Sequence, residues 1–468
     1  MTENKLGVMP IGKLLLNMSL PLMVSMFVQA LYNIVDGIYV AQLSEAALTA
    51  TTLAFPVQML MNAVAIGTGV GVNSLVARRL GERRQAAADS AATHGIVLTL
   101  LSACLFVLFS YTAARPFLAL FTDDAELLSM SCDYLTVCTR ICPFLFLASM
   151  SERLLQAAGH ASLSMASQLA GAVTNIILDP IMIFGRYGCP AMGVRGAAVA
   201  TVIGQAVACV IALLLNHFKN HYVRLGLRGF RFSGETVREI YRVGLPAIFM
   251  QAVGSLMSVC MNAILILFST TAVAVFGAYF KLQSFVFMPV FGITQGLSPI
   301  VGYNYGARRP TRIKRAVKLS MLSAVAIMCA GTLIFNLLPG RLLLLFAAGD
   351  EMLAIGERAL RIISWGFPFA ACSIVMSSTF QGMGIGRLSL INSLLRNLGF
   401  ILPCAYLFGR YLGLDYVWYA FILSEVASVL LMTWLFTRVW RERIAPMDET
   451  APAGDVQTEL LLSEETEC

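Results

Sequence analysis

Charge is scarce in this chain of 468 residues. Only 13% of them are charged, about half the share usual in a soluble domain. Residues 48–77 and 319–340 contain no charged side chain at all. With 58% of the sequence hydrophobic, an ordinary soluble fold is excluded and a chain with many membrane spans is indicated. Chemistry-bearing motifs are missing as well. There is no Walker loop and no nucleophile triad, the four histidines are scattered, and the 11 cysteines form no CxxC pair. ATP-driven transport within this chain and a resident metal cluster therefore have no support. A membrane-embedded enzyme would need catalytic groups gathered at one depth, and only carboxylates and amides are found. Gly67-x-Gly69-x-Gly71 and Gly382-x-Gly384-x-Gly386 lie in or beside apolar runs with no strand before them, so they read as close helix packing. The opening MTENKLGVMPIGK has no signal-peptide cleavage pattern, so the first span is expected to be retained.

What is present is a series of apolar runs. Twelve spans are expected near 15–42, 48–77, 90–114, 130–155, 162–184, 194–217, 243–267, 273–302, 317–338, 359–381, 388–409 and 416–437. The charges orient them. With both termini cytoplasmic, 23 of the 33 Lys and Arg fall in cytoplasmic segments, seven in outer segments, and Arg140, Lys281 and Arg396 within spans. That asymmetry follows the positive-inside rule, and it makes the basic clusters cytoplasmic loops, not nucleic-acid sites. The expected organisation is a cytoplasmic N-terminus (1–13), an N-lobe (14–217), a basic linker (218–242), a C-lobe (243–440) and an acidic, disordered cytoplasmic tail (441–468). The cysteines, mostly inside apolar runs, read as small hydrophobes.

The chain also repeats itself. An ungapped shift of 225 carries Leu20-Pro21 onto Leu245-Pro246, Gly67 onto Gly292, Gly71 onto Gly296 and Gly81 onto Gly306. It carries Arg83-Arg84 onto Arg308-Arg309, Pro143-Phe144 onto Pro368-Phe369, and Gly159 onto Gly384. Each unit holds six spans, an even number, so both enter the membrane from the same side. The fold class expected is an all-α membrane protein of twelve helices, in two six-helix lobes related by a parallel internal repeat.

Against this apolar background two acids stand out. A carboxylate at the centre of a span costs about 3 kcal/mol on insertion scales, so it persists where it meets an ion, a partner or water. Asn33 and Asp36 are three apart in the first span, and Asn175 and Asp179 four apart in the fifth, so each pair shares a helix face. Both pairs sit in the outer third of spans that run in the same direction. The repeat places Met261, Phe400 and Cys404 where Asp36, Asn175 and Asp179 stand. The second half keeps the glycines and prolines but not the acids, which assigns the acids to function. Two nearby carboxylates can hold a proton, and Asp and Asn oxygens can ligate Na⁺. The residues do not choose between these. Asn33, Gln58, Lys281 and Glu425 are further cavity candidates, the last two because a charge inside a span is a pathway residue or reaches an interface. Pro21, which precedes Asp36 on the same helix, is a candidate hinge.

The LP opening of spans one and seven, Asp36, GVGVNSLVARRLGERR, SPIVGYNYGARR, NIILDPIMIFG and GVRGAAVAT together resemble the multidrug and toxic compound extrusion (MATE) family, in its MepA-like branch. The resemblance covers roughly residues 10–440. It implies two lobes about a central cleft, alternating access, and export of amphipathic organic cations in exchange for Na⁺ or H⁺. It further implies a cation site at Asp36, Asn175, Asp179 and Thr201, bending at Pro21, no cofactor beyond the coupling ion, and a monomer in a bacterial cytoplasmic membrane. Some relatives carry acids in spans seven and ten; this chain does not, which leaves Lys281 to shape the second lobe. The alternative from the same superfamily is a flippase for a lipid-linked precursor. That needs a cationic cavity for a phosphorylated head group, whereas the candidates here are mainly acidic.

Overall fold

The computed structural model describes residues 4–226, 230–346 and 349–447. Among them there is no strand. A short α1 (Lys5–Val8) precedes α2 (Ile11–Ala41), α3 (Glu45–Gly81), α4 (Gln85–Thr112), α5 (Ala114–Leu118), α6 (Ala125–Arg140), α7 (Pro143–Ala157), α8 (Ala161–Phe184) and α9 (Val194–Lys219). The second series is α10 (Gly234–Leu265), α11 (Thr270–Gly306), α12 (Pro310–Leu337), α13 (Pro339–Leu344), α14 (Asp350–Ser364), α15 (Phe367–Gly382) and α16 (Gly386–Leu394). It continues through a π-helical turn (Leu395–Ile401) into α17 (Leu402–Leu412), α18 (Leu414–Val417) and α19 (Tyr419–Val439). Ten helical stretches are long and apolar enough to cross a membrane, and two bent pairs bring the number to twelve.

The repeat holds to the residue. The bounds of α3 and α4 fall on those of α11 and α12 under the shift of 225, and the starts of α6, α8 and α9 fall on those of α14, α16 and α19. Unusual backbone repeats too: Arg83 and Arg308 have φ of 60° and 52°, and Gly159 and Gly384 have φ of 91° and 86°. The spans expected at 130–155 and 359–381 are each two helices, α6 with α7 bent by 46° and α14 with α15 bent by 49°. The cause lies in the sequence. Pro143 and Pro368 stand in the first turn of α7 and α15, where a missing N–H is harmless to the new helix but cannot continue the old one.

By contact, the chain divides into two compact units that differ from its halves in sequence order. One holds residues 1–19, 74–88 and 253–468; the other holds 20–73 and 89–252. Small residues explain the exchange. In the second unit, a Cβ at Gly71 of α3 would strike the Ile240 carbonyl of α10, and one at Gly67 would come within 2.9 Å of the Gly244 carbonyl. In the first unit, the equivalent Gly296 of α11 packs on Ser19 of α2, its Cβ position 2.9 Å from the hydroxyl. Each half's second helix thus grips the opening turns of the other half's first helix through glycine, which lets backbones approach closely.

The linker is shorter than the expected 218–242, because α9 runs to Lys219 and α10 begins at Gly234. Where described, it is fastened to the start of α4: the Ser233 amide donates to His94 Nε2 (2.9 Å), and the Arg224 amide donates to Asp89 (2.8 Å). Cys104 and its repeat partner Cys329 are exposed, not buried as the sequence suggested, while Cys138, Cys142 and Cys209 are buried. The acidic residues from Asp448 onward lie outside the described residues.

Candidate functional site

Helices α8 and α9 pack through two glycines. A Cβ on Gly171 would sit 2.8 Å from the Gly204 carbonyl oxygen, and a Cβ on Gly204 would sit 2.7 Å from the Gly171 oxygen and 3.1 Å from Asn175 Cβ. This contact brings the next turn of each helix within hydrogen-bond reach. Asn175 Nδ2 donates to Thr201 Oγ1 across the pair (3.3 Å) and to Asp179 Oδ1 along α8 (3.3 Å). Asp179 is fully buried and Asn175 nearly so. Pro180 lies inside α8, and Gly185, with φ of 71°, caps it. The left-handed cap is a conformation that glycine adopts without a Cβ penalty.

Asp36, half-buried on α2, belongs to the same unit as this cluster. Tyr39 and Phe184 meet edge-to-face at 6.2 Å and join the C-terminal turns of α2 and α8. Tyr32 lies one turn before Asp36 on the same helix, so the two share a face. In the same unit, Gln58 Nε2 of α3 donates to the Tyr134 hydroxyl of α6 (3.3 Å). All these residues belong to one unit. Three buried oxygens there have no hydrogen-bond partner among the described residues: Asp36 Oδ1, Asn175 Oδ1 and Asp179 Oδ2. All three are acceptors. Buried acceptors without donors cost free energy, and a proton or a small hard cation is what such a set can take.

The family profile of MatE matches residues 21–181 and again 246–407, the two copies lying 225 apart at their starts. The chain belongs to the MatE family. As a MATE transporter it is a multi-span carrier and not an enzyme. It is 23% identical over 423 residues to the multidrug export protein MepA of Staphylococcus haemolyticus, covering 90% of this chain and 92% of that protein. It is 27% identical over 312 residues to an FAD transporter of Shewanella oneidensis, covering 67% and 69%. Among solved structures, a crystal structure of MATE in the straight conformation superposes with a TM-score of 0.88 at 28% identity, covering 94% of this chain and 99% of that one.

The other residues singled out in this MATE sequence lie elsewhere. Asn33 is exposed and makes no hydrogen bond to the cluster. Pro21 sits inside α2, which runs unbroken from Ile11 to Ala41. Lys281 and Glu425 belong to the other unit and have partners there. The Lys281 ammonium lies 5.8 Å from the centre of the Phe346 ring. Glu425 Oε1 accepts from Arg396 Nη1 at 3.1 Å, with the two side chains 14% and 26% exposed. Arg396 occupies the π-helical turn, a backbone form often found at functional sites. Sequence reasoning missed Tyr32 and Tyr134. The first could have been found from its position one turn before Asp36; the second had no signal short of the fold. It also missed Glu152 of α7, which accepts from Gln168 Nε2 of α8 at 2.8 Å.

Proposed function

We propose that this MATE transporter is a secondary antiporter that exports amphipathic organic cations while Na⁺ or H⁺ enters, with Asp36, Asn175, Asp179 and Thr201 as its ion-coupling site. The observation that carries the proposal is the Asp179–Asn175–Thr201 hydrogen-bond chain, in one unit with Asp36, and three acceptor oxygens on Asp36, Asn175 and Asp179 that have no hydrogen-bond partner among the described residues. Asp36 and Asp179 supply negative charge, Asn175 orients Asp179 and offers its own carbonyl, and Thr201 fixes Asn175 from α9. An entering cation or proton offsets one of the pair's two negative charges. Because only unequal affinity for two states can move an equilibrium, coupling requires the cluster to hold the ion better in one access state than in the other. The relative named for multidrug export supports the cargo class. The carboxylates favour a cationic cargo over the phosphorylated head group that a flippase would carry. The basic loops support a bacterial cytoplasmic membrane with both termini inside, and the protein is taken to work as a monomer with no cofactor beyond the ion.

The test is dye efflux from proteoliposomes under separately imposed Na⁺ and pH gradients. Wild type is expected to respond to at least one gradient, and Asp36→Asn, inserted to the same level, to neither. Normal gradient-driven efflux by Asp36→Asn would sink the proposal.

A further inference from the structure

The mechanism leaves one group of charges unused, at the far end of α4. There a cavity of about 360 Å³ opens between α4, α5 and α6. Its walls include Ser110, Tyr111, Arg115, Asp133 and Arg140. The Arg140 guanidinium lies over the Tyr111 ring at 4.4 Å from its centre, a contact that orients the planar group without neutralising it. Among the described residues, neither arginine forms an ion pair with Asp133 or with any other acid. Ser110 Oγ is buried in the same wall with no partner. The cavity therefore presents two unneutralised guanidiniums and one free carboxylate. Below it, Leu101, Leu105, Leu108 and Tyr111 follow along one face of α4, 55%, 67%, 59% and 66% exposed. Their spacing of four, three and three makes one continuous apolar stripe that ends at the cavity.

We infer that this cavity is a binding site for a phospholipid with a primary-amine head group, its phosphate held by Arg115 and Arg140, its ammonium by Asp133, and an acyl chain laid along the α4 stripe. The charge pattern selects the ligand. Guanidinium forks suit phosphate oxygens and form charge-assisted hydrogen bonds to them, while a free carboxylate beside them disfavours a purely anionic head group and suits a zwitterion. The apolar stripe distinguishes a lipid from free phosphate, which would gain nothing from it. On the proposed topology the site faces the outer leaflet.

The inference is tested on the full chain in detergent by native mass spectrometry, with phosphatidylethanolamine, phosphatidylglycerol and inorganic phosphate as probes. Wild type is expected to retain phosphatidylethanolamine over phosphatidylglycerol, and millimolar inorganic phosphate is expected not to displace it. The Arg115→Ala/Arg140→Ala variant should hold phosphatidylethanolamine at least about tenfold more weakly, the loss expected when charge-assisted contacts go. Asp133→Asn should reverse the preference towards phosphatidylglycerol, whereas a merely misfolded protein would lose both lipids. Unchanged phosphatidylethanolamine retention in the double variant, the same lipid preference in Asp133→Asn as in wild type, or displacement by inorganic phosphate would each overturn the inference.

Discussion

Gly204→Ala places a methyl group on the one contact that sets the distance between α8 and α9. The new Cβ would stand 2.7 Å from the Gly171 carbonyl oxygen and 3.1 Å from Asn175 Cβ, where ordinary contact begins at 3.4 Å. Neither partner is the far end of a flexible side chain, so the helices must part by about 0.7 Å, the difference between those distances. The Asn175–Thr201 hydrogen bond is already 3.3 Å long, and a gap of that size takes it beyond hydrogen-bond reach. Overpacking should cost about 1–3 kcal/mol of stability. The lost hydrogen bond should cost about 1 kcal/mol of ion binding, close to a fivefold rise in the half-saturating ion concentration. The assay is ion-dependent efflux in proteoliposomes for wild type, Gly204→Ala, Thr201→Val and the double variant. If the glycine acts through Thr201, the two single effects on ion affinity will not add. Gly37→Ala is the control: it neighbours Asp36, and its Cβ would meet nothing within 4 Å. Additive losses in the double variant, or wild-type ion affinity in Gly204→Ala, would refute the argument that glycine packing builds the site.

Two further outcomes follow from the other unit. Glu425→Gln or Arg396→Ala should each lower stability by about 3 kcal/mol, because either leaves a buried charge unpaired, whereas Arg396→Met/Glu425→Leu should recover much of that loss; thermal melting in detergent measures all three. Arg312 donates to the Leu6 and Met9 carbonyls (3.1 and 2.8 Å) and to Asn304 Oδ1 (2.9 Å), and Arg309 donates to the Gly7 carbonyl (2.7 Å). Arg312→Ala should therefore free the opening turn, read as faster limited proteolysis between residues 4 and 10 with the melting temperature little changed, while an unaltered cleavage rate would show that the clamp holds without it.

Much of this was legible before any coordinates, and for a physical reason. In lipid a helix must satisfy its own backbone, so apolar length alone locates spans. Glycine and proline are constrained by backbone geometry, so their register survives duplication. That is why Gly159 and Gly384 mark the same left-handed turn, and Pro143 and Pro368 the same bend. Asp36 and Asp179 were visible because a carboxylate in an apolar run is costly. Pairing was not legible. Glu425 and Arg396 are 29 residues apart, and nothing in either apolar run says which side of its helix meets the other. Tyr134 was hidden for the same reason: its link to the site passes through Gln58 of another helix.

The repeat register explains how one bundle design came to hold two kinds of polar core. Arg396 occupies the place of Gly171, and Glu425 the place of Ala200, the neighbour of Thr201. In the first half, a bare glycine lets α8 and α9 close up, so the polar groups one turn away meet around unpaired acceptor oxygens. In the second half, a side chain as long as arginine cannot fit such a contact. The helix there becomes π-helical from Leu395 to Ile401, and the guanidinium is met by a carboxylate from α19. An ion pair has no net charge for an added cation to meet, whereas Asp36 and Asp179 bring two negative charges to one unit. Reducing the second half to Arg396→Gly/Glu425→Ala should thus remove a structural pair without creating an ion site, because Phe400 and Cys404 stand where Asn175 and Asp179 would be needed. Direct ²²Na⁺ or proton-uptake measurements on that variant should match wild type in stoichiometry, and a loss of half the bound ions would place a coupling site in the second half after all.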